Sequence, residues 1–263
     1  VTEQGAASLE IERKYEMIGA SALPGADVWA ATGLRAGEPR RVELHASYFD
    51  TEDRALATAR LAMRRRAGGA DEGWHLKERT PGGVHELHWP LSDELPEGLR
   101  AELRSRIGDA ADRVVPAATL ETVRVTVRLA ESGADAVELA DDTVLATDHR
   151  AGVSRLWREW EAELVGGADP AVLDRVEPLL AAAGAVPSPS EAKIARATGR
   201  LIDLAIAHDG SARLLEALAV MDAADRLAAT LRRDGTEALG DPRVAELRAR
   251  AQALLTVPAA AHE

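Results

Sequence analysis

Leu9-Glu10-Ile11-Glu12-Arg13-Lys14-Tyr15 places two carboxylates and an ammonium at alternate positions. A period of two is the signature of a β-strand, in which residues i, i+2 and i+4 point to one face. Here that face is charged, with successive members about 7 Å apart at about 3.4 Å rise per residue. Carboxylates and an ammonium in one row suit a hard metal cation beside an anionic, phosphorylated ligand.

The pattern recurs along the chain. Arg64 and Arg66 alternate within Ala62-Met63-Arg64-Arg65-Arg66, and Lys77 closes Trp74-His75-Leu76-Lys77. Glu86 and His88 alternate before Trp89. Arg124, Thr126 and Arg128 share one parity, as do Glu138 and Asp142, and Glu159, Glu161 and Glu163. These runs predict strands at 8–17, 40–50, 60–68, 72–80, 83–91, 118–131, 134–148 and 152–165. Most lie at hairpin spacing, and Thr80-Pro81-Gly82-Gly83 reads as a turn. The expected fold is α+β: a closed antiparallel eight-stranded β-barrel with flanking helices and a C-terminal helical tail.

Helices are expected at 22–35, 97–107, 170–183 and 190–207. Asp169 reads as an N-cap and Pro170 as the first helical residue. Residues 211–255 carry no strand signal. Leu214, Leu218, Met221 and Ala228 follow helical spacing, and Leu239-Gly240-Asp241-Pro242 breaks the run, which predicts a helical hairpin. Residues 1–207 are therefore read as one domain and 208–263 as a helical extension for packing or association, with a homodimer left open.

Composition narrows the function classes. The 263 residues carry a net charge of -12, so no global field draws nucleic acid, and any polyanion must be met in a local site. Cysteine is absent, which excludes disulfides and thiolate metal sites. No apolar run is long enough to span a bilayer, and the first residues have no leader-like pattern, so a cytoplasmic protein without membrane partners is expected. His45, His75, His85 and His88 lack the spacing of a zinc motif. Arg65 has the outward parity. Glu159 is either lining or rim. Trp157 and Trp160 read as packing or capping residues.

With these segments in order, the chain resembles the CYTH domains, the triphosphate tunnel metalloenzymes. Glu10-Ile11-Glu12-Arg13-Lys14 matches their Glu-x-Glu-x-Lys signature. Tyr48-Phe49-Asp50-Thr51, Leu61-Ala62-Met63-Arg64-Arg65-Arg66, Leu76-Lys77, Trp160-Glu161-Ala162-Glu163-Leu164 and Lys193-Ile194-Ala195-Arg196-Ala197 are similar to later family elements, over about residues 8–200. His75 stands where Thr is usual, His88 where an acid is common, and Ala192 where Ser precedes the helical Lys.

The resemblance implies a wet, charged tunnel holding a triphosphate with Mg²⁺ or Mn²⁺. It implies Lys14, Arg64, Arg66, Lys77, Arg124, Lys193 and, more weakly, Arg128 as phosphate contacts. Glu10, Glu12, Asp142, Glu161 and Glu163 become metal-ligand candidates, with Glu86 and Glu138 orienting them. Glu10, Glu12 and Lys14 are the catalytic candidates, either glutamate accepting a proton from the attacking water. Three activities follow: hydrolysis of inorganic tripolyphosphate or of an organic triphosphate, cyclisation of ATP, or non-catalytic sensing of polyphosphate or nucleotide.

Overall fold

The computed structural model describes residues 5–17, 21–233 and 237–256; the outermost parts of the two expected domains fall outside them. In chain order the elements are β1 (Ala6–Glu10), β2 (Glu12–Met17), α1 (Ala26–Ala30), β3 (Arg35–Ala36), β4 (Arg40–Asp50), α2 (Ala55–Thr58), β5 (Leu61–Ala67), β6 (Gly73–Thr80), β7 (Gly83–Pro90), α3 (Glu97–Ile107), β8 (Val115–Glu131), β9 (Ala134–Asp148), β10 (Val153–Leu164), α4 (Ala171–Ala182), β11 (Ala185–Pro187), α5 (Lys193–Ala197), α6 (Leu201–Ala207), α7 (Ala212–Arg233) and α8 (Pro242–Thr256).

All strand pairs are antiparallel, in the order β1-β7-β6-β5-β4-β8-β9-β10-β2-β11, with β3 paired to β8. This corrects the expected closed eight-stranded barrel. The sheet has 11 strands and is open: among the described residues no ladder joins its two ends. The expected first strand, 8–17, divides at Ile11. Residues before it pair with β7, and residues after it pair with β10. Ile11 itself accepts a hydrogen bond from the Leu164 amide at 2.9 Å. One continuous chain segment thus supplies the first strand of the sheet, β1, and the next-to-last, β2, without a ladder across the seam. The short β3 and β11 supply the remaining additions.

Other boundaries also moved. Only Ala26–Ala30 of the expected 22–35 helix is helical, because Gly33 at φ 79° turns the chain into β3. The 190–207 helix is two, α5 and α6, separated at Gly199. Gly199 has φ 67°, and a Cβ there would lie 2.3 Å from Arg155 Nη2. Asp169 does accept from the Ala171 amide at 2.9 Å, but α4 begins after Pro170. Hairpin β8–β9 turns through Ser132 and Gly133, both at positive φ, as a two-residue loop joining right-twisted strands requires.

Apolar side chains of the outward parity bury under helices. Tyr15, Leu129, Leu139 and Trp160 pack with Val172, Leu173, Val176 and Leu180 of α4. Met63, Trp74 and Leu76 pack with Leu99 and Leu103 of α3. Leu156 meets Ala228 and Ala229 of α7. α7 packs in turn on α8 through Leu218, Met221 and Ala251, the helical pair expected for the tail. No helix among the described residues is long and apolar enough to cross a membrane.

Gly68 sets a point of intolerance in the β5–β6 connection. Its φ is 84°, and a Cβ would stand 2.3 Å from the Glu43 carbonyl oxygen. Gly68→Ala is expected to lower unfolding free energy by about 1–3 kcal/mol, measured by urea denaturation.

Candidate functional site

Strand register assembles the charged rows. Glu12, Glu163 and Glu138 are direct neighbours across β2, β10 and β9, and Arg128 continues the row on β8. One step along, Lys14 faces Glu161. A further step aligns Glu16, Glu159, Asp142 and Arg124. On the other side of the sheet Tyr48 faces Arg64, Arg64 faces His75, and Lys77 faces Glu86.

These rows border a cavity of about 930 Å³. Lys14, Arg64, Arg66, Lys77, Arg124 and Lys193 all line it, as do Glu10, Glu12, Glu161 and Glu163. Asp142 lies one layer deeper with no exposed surface. Arg124 grips both of its oxygens, at 2.7 and 2.6 Å, and also reaches Glu161 at 2.7 Å. Lys193 contacts Glu159 at 2.5 Å, Glu161 at 2.6 Å and Asp142 at 3.1 Å. Lys14 pairs with Glu161 and lies 3.2 Å from Glu12. Arg128 stands apart: its side chain is 48% exposed, and it pairs with Glu138 at 2.6 Å. Arg65 bonds the Ser92 carbonyl and Asp93 away from the cavity.

Burial opposes the charges on Lys14, Lys193, Asp142 and Glu161, and the partners decide the outcome. Burial alone would lower Lys14 and Lys193, yet Glu161 with Glu12, and Glu159 with Glu161, hold them above the ordinary lysine value. Burial would raise Asp142 and Glu161. Arg124 and Lys193 hold Asp142 below the usual carboxylate range, and Lys14 and Lys193 hold Glu161 well below it. Two places are not balanced. Glu163 is raised by burial and then by Glu12, and no ion-pair partner stands against it among the described residues. Arg66 is pushed down by burial and by the guanidiniums of Arg64 and Arg124, despite a pair with Asp71. An arginine stays charged at physiological pH, so that environment is one that an anion would relieve. The Nε groups of Arg64 and Arg66 are buried with no hydrogen-bond partner.

Glu10 and Glu86 form a third locus. Lys77 bridges them, at 2.5 Å from Glu10 and 3.4 Å from Glu86. Burial is the largest reason that Glu10 is raised to about 7, and Glu86 adds to it. Burial would raise Glu86 too, but His75, Lys77 and Glu10 depress it. His75 Nδ1 meets Glu86 at 2.8 Å, and its Nε2 meets the Asp71 carbonyl at 3.0 Å. Burial lowers His75 to about 4, so the ring is neutral near pH 7 and donates only once. With acceptors at both ring nitrogens, the neutral ring can serve only one of them, Glu86 or the Asp71 carbonyl, as donor.

The donor chemistry fits a hard divalent cation. Like charges directly opposite each other on a sheet are destabilising, and the Glu12–Glu163–Glu138 row has that arrangement with oxygen donors only. A second group, Asp142, Glu159 and Glu161, brings one oxygen from each residue within 4.8 Å of the others. That group is already neutralised by Lys193 and Arg124. Glu10, Glu12, Glu161 and Glu163 line the cavity itself.

Two contributors escaped the sequence reading. Glu159, open between lining and rim, is buried against Lys193 and accepts from Trp157 Nε1 at 2.6 Å; its parity with Glu161 was the available signal. Tyr48, its ring buried, receives a hydrogen bond from Arg64 at 3.3 Å. Burial would raise its hydroxyl, but Arg64 brings it below the usual tyrosine value. Trp157 and Trp160 are both fully buried, on opposite faces of β10.

Comparison with known proteins shows the family. The model of the CYTH domain matches residues 8–198, and the chain belongs to that family. It is 37% identical over 209 residues to the uncharacterized protein Rv2226 of Mycobacterium tuberculosis strain H37Rv and, equally, to the uncharacterized protein MT2285 of strain CDC 1551. The match takes in 73% of this chain, which spans 40% of the length of those relatives. Among solved structures, one from Bacillus halodurans named as a candidate adenylate cyclase superposes with a TM-score of 0.50 at 19% identity, covering 72% of this chain and 97% of that one. The Hippeastrum protein HpAC1, a candidate adenylyl cyclase described as having a dominant triphosphatase activity, gives 0.45 at 20% identity, over 71% of this chain and 94% of that one.

The raised Glu10 has a consequence for stability. Its protonated form is favoured in the fold, so its stabilising contribution is complete below pH 4.5 and is lost as pH rises through about 7. Glu10→Gln keeps the neutral form at every pH. The difference in urea midpoint between Glu10→Gln and the parent is expected to shift in favour of the variant from pH 4.5 to above 7. A pH-independent difference would contradict the raised Glu10.

Proposed function

We propose that this protein hydrolyses a phosphoanhydride bond of a triphosphate, inorganic or organic, with Mg²⁺ or Mn²⁺ in the cavity. The observation that carries this reading is the incomplete neutralisation of one cavity in both signs. Arg64 and Arg66 present buried Nε donors without partners, while Glu163 lies unpaired beside Glu12 in the same cavity. A chain of phosphates satisfies the first set and a hard cation the second.

In this reading Lys14, Arg64, Arg66, Lys77, Arg124 and Lys193 hold phosphate oxygens, exchanging part of their carboxylate contacts for the substrate. Arg128 meets the anion at the rim. Glu10, Glu12, Glu161 and Glu163 are the metal ligands at the cavity, Glu161 also holding Lys14, Lys193 and Arg124, and Asp142 braces Lys193 and Arg124 from beneath. Glu86 fixes Lys77 and Arg64, and Glu138 fixes Arg128. When bound, the divalent cation supplies charge neutralisation and a more acidic water. Water oxygen attacks the terminal phosphorus, its proton passes to Glu10 or Glu12, and the anhydride oxygen leaves with the remaining diphosphate. Lys14 stabilises the charge that develops on the transferred group.

Full-length protein with Mg²⁺ or Mn²⁺ is expected to release phosphate from tripolyphosphate or an organic triphosphate, and Glu12→Ala to abolish release. No release across the panel and both metals rejects the reading. Arg64→Ala is expected to raise KM about 10- to 100-fold, the equivalent of one charge-assisted contact of about 1.5–3 kcal/mol.

A further inference from the structure

Lys193 enters the cavity from α5, a helix of only five residues. So short a helix has little stability of its own, and its placement must come from its neighbours. One turn on, Arg196 is buried and points away from the cavity. Its Nη1 meets both oxygens of Glu16 at 2.8 Å. Its Nε and Nη2 meet the two oxygens of Asp225 at 2.7 and 3.1 Å. Asp225 belongs to α7, beyond the segment that the family model matches, and is 1% exposed. Arg248 of α8 approaches Asp225 at 3.7 Å and donates to the Leu156 carbonyl at 3.0 Å.

The Arg196 guanidinium lies 4.8 Å over the ring of Trp157. Trp157 donates to Glu159, and Glu159 holds Lys193. Two routes therefore run from Asp225 to the Lys193 ammonium: through the α5 backbone, and through Trp157 and Glu159. Asp225, Arg196, Trp157 and Glu159 are buried, where an unpaired charge is strongly destabilising, and removing the Asp225 charge leaves Arg196 with Glu16 as its one carboxylate partner.

We propose that Asp225 is a positioning residue for the cavity: by clamping Arg196 it fixes α5 and holds Lys193 against Glu159, Glu161 and Asp142. The C-terminal helices then act as part of the cavity wall. The clamp stands on geometry alone; its consequence for phosphate binding rests on the function proposed above.

The test compares full-length Asp225→Asn and Arg196→Lys with the parent. Arg196→Lys keeps the charge but loses the planar fork. Labelling by an amine-reactive ester, mapped by mass spectrometry, reads the accessibility of Lys193, with Lys77 as internal reference. Both variants are expected to raise Lys193 labelling about threefold or more relative to Lys77, as local opening does. Leu173→Ala loosens α4, which holds no member of the clamp, and is expected to leave that ratio unchanged. An unchanged ratio in the two clamp variants, or an equal rise in Leu173→Ala, overturns the proposal. Calorimetric titration with inorganic tripolyphosphate supplies the second reading. Asp225→Asn is expected to weaken binding in the parent but not in a Lys193→Gln background, since interacting residues are non-additive. Equal weakening in both backgrounds overturns a route through Lys193. If labelling rises while Lys193→Gln binds tripolyphosphate like the parent, the clamp is supported and the phosphate role of Lys193 falls.

Discussion

A charge on the inner face of a sheet is tolerable only with an opposite charge against it, and this constraint organises the whole molecule. Asp142 has no exposed surface, and without Arg124 and Lys193 its ionised form would bear an uncompensated desolvation cost. Lys14, Lys193 and Arg124 converge on Glu161 for the same reason. The charged rows share the inner face with a buried apolar cluster around Val144 and Trp157, while the apolar side chains of the other parity face outward and must be covered there. α3, α4 and α7 do so, burying Met63, Trp160 and Leu156 respectively. The helices outside are a consequence of the charges inside.

Neutralisation is local and uneven. The Glu159–Asp142–Arg124 level is closed, each group paired within hydrogen-bond distance. At the Glu12–Glu163–Glu138 level three carboxylates stand side by side, and around Arg64 and Arg66 guanidinium donors are unmet. A fold optimised for stability alone would pair or delete these groups; strain of this kind collects where a ligand is to be held. The closed level works as a foundation that fixes Lys193 and Arg124, and the open levels are where binding energy remains to be gained.

Much of this was legible before folding. Alternation placed Glu12, Lys14, Arg64, Arg66, Lys77, Arg124, Glu161 and Glu163 on inward faces, and every one of them borders the cavity. Arg128 shares the parity of Arg124 yet stays half exposed near Glu138, because parity gives the face of a strand but not the depth along it. Glu159 was ambiguous for the same reason and proved buried. The eight expected strands all exist, but the first is divided at Ile11 and the ladder does not close. Partner exchange within one extended segment leaves the period of two intact, so nothing in the residue pattern announces it.

What the sequence determined by itself was which side chains share a face, since backbone pleating depends only on neighbours along the chain. It also carried the family, through Glu10-Ile11-Glu12-Arg13-Lys14 and the segments that follow it. Tertiary structure alone decided which face meets which. The register that sets Glu163 between Glu12 and Glu138, the pairing of Lys77 with Glu10, and the grip of Asp225 on Arg196 all join residues far apart in sequence. Those contacts come from long-range packing and from the cost of leaving a buried charge unpaired, and neither is written in any one segment.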